Sequence, residues 1–197
     1  MKPKVLIVAG FPRSGTTVTS AVIDTHPEIS ITDEQSFMYI WRMFLSFIKV
    51  REKPADYLTV TPADHDIIKR LMDKHLAEVI YEYHKVRKPQ AKIVGDKLPF
   101  YLTYLDWFRE RFDCKFIITY RNKEDTMKSM EKLFSNLDKV AITNIYKASQ
   151  YHFDLNQGKQ DCHFVKLEKL RKNPEKTFKG IADFLEVEPA FDLSMIR

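Results

Sequence analysis

The sequence that decides the fold is KVLIVAGFPRSGTT, residues Lys4–Thr17. Its first seven residues, Lys4–Gly10, contain an unbroken apolar run, Val5–Gly10, of the kind found in strands that are buried on both faces of a parallel sheet. The Pro and Gly of Phe11–Thr17 then predict a loop. Helical spacing follows over Thr17–Thr25, and Pro27 ends it. The chain therefore begins with a strand, a tight loop and a helix.

Strand and helix patterns alternate along the rest of the chain, which predicts a single α/β domain over residues 1–197. The expected fold is a P-loop-like parallel sheet flanked by helices. The later predicted strands are Ala91–Gly95, Lys115–Tyr120 and Cys162–Leu167, and a turn is predicted over Asp96–Pro99. The predicted helices are Glu34–Val50, Thr61–His84, Phe100–Phe112, Lys123–Phe134, one within Asp138–Asn156, and Pro174–Leu185.

The composition excludes several classes of protein. The 44% of hydrophobic and 30% of charged residues are typical of a globular domain and argue against disorder or a rod. Two cysteines exclude a disulfide scaffold, and the spacing of the six histidines predicts no metal site. The net charge of +5 suits an anionic ligand, but no nucleic-acid-binding motif accompanies it. No membrane span or signal peptide is predicted, so the expected location is cytoplasmic.

The loop after the first strand has the spacing of a phosphate-binding loop, GxxxxGK[ST], with Thr16 in the position of the lysine. Gly15 allows close approach of the backbone, and amide groups at the helix start donate to phosphate oxygens. Arg13 adds a planar, fixed positive charge. Kinases place the missing lysine on the β- and γ-phosphates of ATP beside Mg²⁺, so its absence favours a donor with less charge at that point.

The segment PRSGTT after a buried strand resembles the 5′-phosphosulfate loop of sulfotransferases that use 3′-phosphoadenosine 5′-phosphosulfate (PAPS). The other motifs are closest to those of protein-tyrosine and carbohydrate sulfotransferases. The resemblance implies that PAPS is the donor, that 3′-phosphoadenosine 5′-phosphate (PAP) is the product, and that no metal is needed. It assigns the 5′-phosphosulfate to Arg13, Ser14, Gly15, Thr16 and Thr17.

A second candidate site follows the strand KFIITY. Arg121 ends that strand at the carboxyl edge of the sheet, where ligands of parallel sheets bind. Ser129 lies eight residues later, about two turns into the next helix. An arginine fork and a hydroxyl can bind one more phosphate group. This pair resembles the 3′-phosphate-binding motif of the same family.

Two further segments supply candidate catalytic groups. In the segment after His26-Pro27, Glu34 matches the presumed general base of the family, which would accept the proton of the acceptor hydroxyl. The adjacent Asp33 leaves that assignment open between the two carboxylates. The sequence GDKLP resembles another segment of the family, and its Lys97, with Arg13, would stabilise negative charge on the bridging oxygen.

These observations predict transfer of a sulfuryl group from PAPS to an acceptor hydroxyl. The acceptor is a carbohydrate, a protein tyrosine or a small molecule, and neither nucleic acid nor a membrane is an expected partner. Two alternatives remain open: a P-loop kinase that uses ATP and Mg²⁺, and a nucleotide-binding module without catalytic activity. The acceptor and the oligomeric state lie beyond the sequence.

Overall fold

The computed structural model describes residues 4–34 and 62–196, and they form a parallel five-stranded sheet with helices on both faces. The order of the strands is β2-β3-β1-β4-β5, so the first strand lies at the centre. The strands are β1 Lys4–Gly10, β2 Ile29–Asp33, β3 Ile93–Lys97, β4 Cys114–Tyr120 and β5 Cys162–Lys166. The α/β fold predicted from the alternating pattern is confirmed.

Seven α-helices are found among the described residues. They are α1 Thr16–Asp24, α2 Pro62–Arg87, α3 Leu105–Arg109, α4 Lys123–Leu133, α5 Lys139–Asn156, α6 Leu167–Lys172 and α7 Pro174–Leu185. Within these stretches, none combines the length and the apolar character needed to cross a bilayer. Apart from Glu34 itself, the helix predicted over Glu34–Val50 lies outside the described residues.

The central strand β1 explains why the sheet is covered on both faces. Side chains alternate along a strand, so Val5 and Ile7 pack into one hydrophobic core with α2 and α5. Leu6 and Val8 pack into a second core with α1 and α7 on the opposite face. Because all four side chains are apolar, neither face of this strand can be left in water, and β1 is fixed in the middle of the sheet.

The turn predicted over Asp96–Pro99 is wrong, because β3 continues through Asp96 and Lys97. Charged residues are unusual in a buried strand, but Asp96 has hydrogen-bond partners inside the protein. Its carboxylate accepts from the Thr32 hydroxyl at 2.8 Å and from the Tyr101 hydroxyl at 2.7 Å. These bonds replace the water that Asp96 loses, and the strand therefore carries Lys97 to the carboxyl edge of the sheet.

Two other boundaries differ from the prediction. The helix predicted over Phe100–Phe112 is a 3₁₀ helix, Pro99–Tyr104, followed by the short helix α3. Leu167, predicted as the end of the last strand, is the first residue of α6. Both changes lie directly after a strand, and they place the first turns of the following helices beside the carboxyl edge.

Candidate active site

A cleft of about 590 Å³ lies at the carboxyl edge, above β1 and β4. Its walls come from the loop before α1, the ends of β2 and β4, the start of the 3₁₀ helix, α4 and α6. Seven residues that the sequence analysis singled out line it: Arg13, Gly15, Thr16, Thr17, Glu34, Arg121 and Ser129. The topology thus brings together groups that are up to 116 positions apart in sequence.

The N-terminal end of α1 lies at the cleft. Gly15 is the N-cap residue and adopts the left-handed region, with φ of 90°. A β-carbon there would lie 2.6 Å from Cδ1 of Leu167, so both the backbone angle and the packing favour glycine. No side chain caps the helix. The first backbone N–H groups of a helix have no partners within it. Those of Thr16 and Thr17 are therefore available to a ligand in the cleft.

Ser14, which the sequence analysis assigned to the phosphosulfate loop, directs its side chain into the protein. Only 1% of the residue is exposed, and its hydroxyl lies 2.6 Å from the carbonyl oxygen of Phe11 and 2.6 Å from Oγ1 of Thr119. These contacts tie the loop to β4. The Ser14 side chain thus fixes the shape of the loop and does not line the cleft.

The two predicted phosphate sites meet directly. Arg13, with φ of 69°, extends its side chain from the loop, and its Nε donates to Oγ of Ser129 at 3.0 Å. Arg121 lies nearby at the end of β4, with Nη2 3.1 Å from a carboxylate oxygen of Asp125. A guanidinium paired with a single carboxylate retains other N–H donors for a ligand. The loop, β4 and α4 therefore present two arginines and a serine to one cleft.

Lys97 links the loop to the candidate bases. The residue is 1% exposed, and its ammonium group donates to Oγ1 of Thr17 at 3.1 Å and to a carboxylate oxygen of Glu34 at 2.9 Å. It also forms an ion pair with Asp33. Glu34 has φ of 58° and donates its backbone N–H to the carbonyl oxygen of Lys97 at 2.8 Å. Of the two carboxylates, only Glu34 lines the cleft.

The structure adds cleft residues that the sequence analysis did not select. Phe100 follows the GDKLP segment, Arg171 lies in α6, and Met195 comes from the C-terminal 3₁₀ helix. Arg171 carried a usable signal, since it is a basic residue in the first helix after a parallel strand. No comparable signal marks Met195, because its position depends on a contact between α1 and the C-terminal segment.

The described residues include no group of three or more His, Cys, Asp or Glu side chains that could hold a metal ion. The two cysteines are also poor nucleophiles. Burial, with the charges of Asp113 and Asp161, raises the pKa of Cys114 above its usual range, and burial raises the pKa of Cys162 to about 12. The chemistry of the cleft therefore depends on arginine, lysine, hydroxyl and carboxylate groups.

Two curated proteins with similar sequences are named as protein-tyrosine sulfotransferases. The protein-tyrosine sulfotransferase A of Caenorhabditis elegans is 24% identical over 192 residues, which cover 92% of this chain and 50% of that protein. The protein-tyrosine sulfotransferase of Drosophila melanogaster is also 24% identical, over 92% of this chain and 38% of its own. The chain thus spans half or less of the length of these two curated relatives.

The fold is shared with solved sulfotransferases. The sulfotransferase domain of the Synechococcus olefin synthase superposes with a TM-score of 0.69 at 22% identity, covering 99% of this chain and 78% of that domain. A family model described as "Sulfotransferase family" matches residues 3–192, which is nearly the whole sequence and includes every element of the cleft except Met195. The chain therefore belongs to the sulfotransferase family.

Proposed function

We propose that this protein transfers a sulfuryl group from PAPS to the hydroxyl group of an acceptor. The observation that carries the proposal is the convergence of three sets of groups: Arg13 with the start of α1 and the Arg121–Ser129 pair line one cleft, and the buried Lys97 contacts Thr17 and Glu34 of its lining. A further structure of the same fold, mouse sulfotransferase SULT7A1, is complexed with PAP; it has a TM-score of 0.52 and 15% identity over the full length of this chain.

The charge distribution of the cleft fits a donor with phosphate groups at two ends. The uncapped amides of Thr16 and Thr17, with Arg13, would bind the 5′-phosphosulfate. Arg121 and Ser129 would bind the 3′-phosphate. PAPS supplies an activated sulfur atom, and the role of these protein groups is to hold it in line with the acceptor.

Glu34 and Lys97 are suited to two requirements of the reaction, which are removal of the acceptor proton and stabilisation of negative charge on the bridging oxygen. As the acceptor oxygen forms its bond to sulfur, its proton passes to the carboxylate of Glu34. As the bond from sulfur to the bridging oxygen breaks, negative charge develops on that oxygen. The ammonium group of Lys97, within 3.1 Å of Thr17 in the loop, and the guanidinium of Arg13 would stabilise this charge. In this scheme the chain's own cations carry the charge, and no metal ion is assigned a role.

The kinase alternative is less well supported. Position 16 is Thr, so the loop lacks the lysine that kinases place on the β- and γ-phosphates. The family match does not favour it either. Titration with PAP and with ATP and Mg²⁺ separates the two functions, and we expect heat of binding with PAP alone. Binding of ATP and Mg²⁺ without binding of PAP would overturn the proposal.

The activity itself is tested by transfer of labelled sulfuryl from PAPS to a panel of acceptors. The panel contains a tyrosine peptide, because the curated relatives are named for protein tyrosine, and also a carbohydrate and a small phenol. Transfer to any of the three supports the proposal. Binding of PAP without transfer to any of them would favour the non-catalytic nucleotide-binding module.

Substitution of the two adjacent carboxylates decides which is the base. We expect Glu34→Gln to lower kcat by about 100-fold or more, because it removes the proton acceptor that lines the cleft. Asp33→Asn is the matched control and should change kcat much less, because Asp33 contacts Lys97 but does not line the cleft. Calorimetry with PAP should give similar affinities for both variants. The reverse order of effects would make Asp33 the base.

A further inference from the structure

Five residues of the cleft lining, here called the groove residues, come from α1, α6 and the C-terminal segment. Val18 and Ala21 lie three residues apart on one face of α1. Leu167 and Arg171 lie four residues apart on one face of α6. Met195 lines the same cleft from the C-terminal segment. Arg171 is thus the one charged side chain among these five groove residues.

The backbone of Arg171 is held firmly by its neighbours. Leu167, at the start of α6, packs against Gly15 of the loop. At the next residue, the carboxylate of Glu168 accepts from the backbone N–H of Asn122 at 2.9 Å and from its side-chain amide at 2.8 Å. These contacts attach α6 to both the loop and the segment after β4. The helix that carries Arg171 therefore has a fixed position relative to Arg121.

The side chain of Arg171 differs from those of the other two arginines of the cleft. Arg13 donates to Ser129, and Arg121 pairs with Asp125. Within residues 4–34 and 62–196, the exposed Arg171 side chain forms no hydrogen bond or ion pair. An arginine that lines a cleft without a protein partner has its planar face and all its N–H groups available to a ligand.

We propose that Arg171 holds the nucleobase of the donor, with its guanidinium against the face of the purine ring. This inference rests on the function proposed above. Four of the five groove residues are apolar, so a dianionic phosphate placed among them would lose water and have Arg171 as its one charged partner within the five. A flat, uncharged base gains from the same apolar residues, and a guanidinium stacks favourably on an aromatic ring. Arg13 and Arg121 remain for the phosphates.

The test compares two nucleotides that share the base but differ in the 3′-phosphate. PAP and adenosine 5′-monophosphate are titrated by calorimetry against the wild type, Arg171→Gln and Arg121→Gln. We expect Arg171→Gln to weaken both nucleotides by a similar factor of about ten. Arg121→Gln should weaken PAP more than adenosine 5′-monophosphate, because only PAP carries the phosphate assigned to Arg121. In turnover assays, Arg171→Gln should raise the KM for PAPS and leave kcat within about twofold.

A charge-conserving variant separates stacking from simple attraction. Arg171→Lys retains the positive charge but loses the planar guanidinium, so we expect it to restore little of the lost affinity. Lys172→Gln is the matched control: it removes one positive charge from the next residue, which is exposed and does not line the cleft. Its affinities for both nucleotides should stay within about twofold of the wild type.

Three results would overturn the inference. The first is that Arg171→Gln weakens neither nucleotide, the second is that it weakens PAP alone, and the third is that Arg171→Lys binds both as tightly as the wild type. The second result would assign Arg171 to the 3′-phosphate. All three require a wild-type protein that binds PAP. A wild type that fails to bind PAP is a different outcome, since it overturns the proposed function together with the inference.

Discussion

The two ends of α1 differ in what binds their unpaired backbone groups. At the C-terminal end, the ammonium group of Lys88 donates to the carbonyl oxygens of Asp24 at 2.5 Å, of His26 at 3.1 Å and of Ile29 at 2.6 Å. At the N-terminal end, no side chain caps the helix, and its first turn opens into the cleft. The protein thus supplies the cation for one end and leaves the other end to a ligand.

This difference separates structural charges from functional ones. A helix end favours a charge opposite to its dipole, a cation at the C-terminus and an anion at the N-terminus. Lys88 is anchored by three backbone oxygens, which lie at the end of α1, in the following turn and at the start of β2. These oxygens can move away from Lys88 only if the backbone there unfolds. Lys97 contacts the side chains of Thr17, Asp33 and Glu34, of which the two carboxylates are largely exposed. The partners of Lys97 can therefore reorganise when a ligand enters.

The largest effect is expected for Lys97→Met. The substitution keeps the length of the buried side chain but removes the cation, so kcat should fall by about 10²- to 10³-fold. The affinity for PAP, measured by calorimetry, should change much less, because Arg13, Arg121 and the amides of α1 remain. Lys88→Met makes the same change at the other end of α1 and should leave kcat per folded molecule within about twofold. Equal losses of kcat in the two variants would abolish the distinction.

Next in size is an effect of acid on the network behind the C-terminal end of α1. Arg87 pairs with Asp24 and donates to the hydroxyl of Ser30, which lies 2.8 Å from Nδ1 of the buried His84. Burial, reinforced by the charge of Arg87, lowers the pKa of His84 from 6.5 to about 4. Below pH 6.5 the unfolded chain therefore binds a proton that the folded protein does not.

The stability due to neutral His84 is fully present above pH 6.5 and is lost as the pH falls towards 4. We expect the free energy of unfolding to decrease by about 3 kcal/mol across this window. Urea unfolding at pH 7, 6, 5 and 4 measures the decrease, and His84→Gln should show a shallower pH dependence. If both proteins have the same dependence, other groups carry it.

The smallest effect is expected for the stability of Lys88→Met. Loss of an ammonium group that satisfies three carbonyl oxygens should lower the free energy of unfolding by about 2 kcal/mol. Lys92→Met is the control, because Lys92 is exposed and its ion pair with Glu28 lies at the surface; we expect a change below about 0.5 kcal/mol. Chemical denaturation measures both. Similar values for the two variants would mean that Lys88 does not hold the helix end.

The local order of the first elements could be predicted from the sequence, because each rests on a local rule. The unbroken apolar run of the first strand is buried because its side chains avoid water. A Gly is required at the left-handed position before α1, and residues with helical spacing follow it. The placement of Arg121 and Ser129 was predictable for a related reason, since a residue that ends a parallel strand lies at the carboxyl edge. Their approach to Arg13 then follows from the adjacency of β1 and β4.

Other features depended on partners that are distant in the sequence. Asp96 looked like a turn residue, and its hydrogen bonds with the distant Thr32 and with Tyr101 make it acceptable in a strand. Ser14 looked like a phosphate ligand, and only the position of Thr119 shows that its hydroxyl turns inward. Each of these polar side chains has several potential hydrogen-bond partners, and the packing of distant segments determines which of them it contacts.

The sequence by itself determined that a parallel sheet forms and that a glycine-containing turn opens a helix at its carboxyl edge, because backbone geometry and burial of apolar strands leave little freedom. The tertiary structure alone decided which charged side chains lie away from the cleft and which line it, as Arg171 does, or contact residues that line it, as Lys97 does. Lys88 and Lys97 look alike in the sequence, as do Arg87 and Arg171. The difference arises because an ionic group is neutralised by whatever lies within a few ångströms, and that neighbourhood is set by the packing of remote segments.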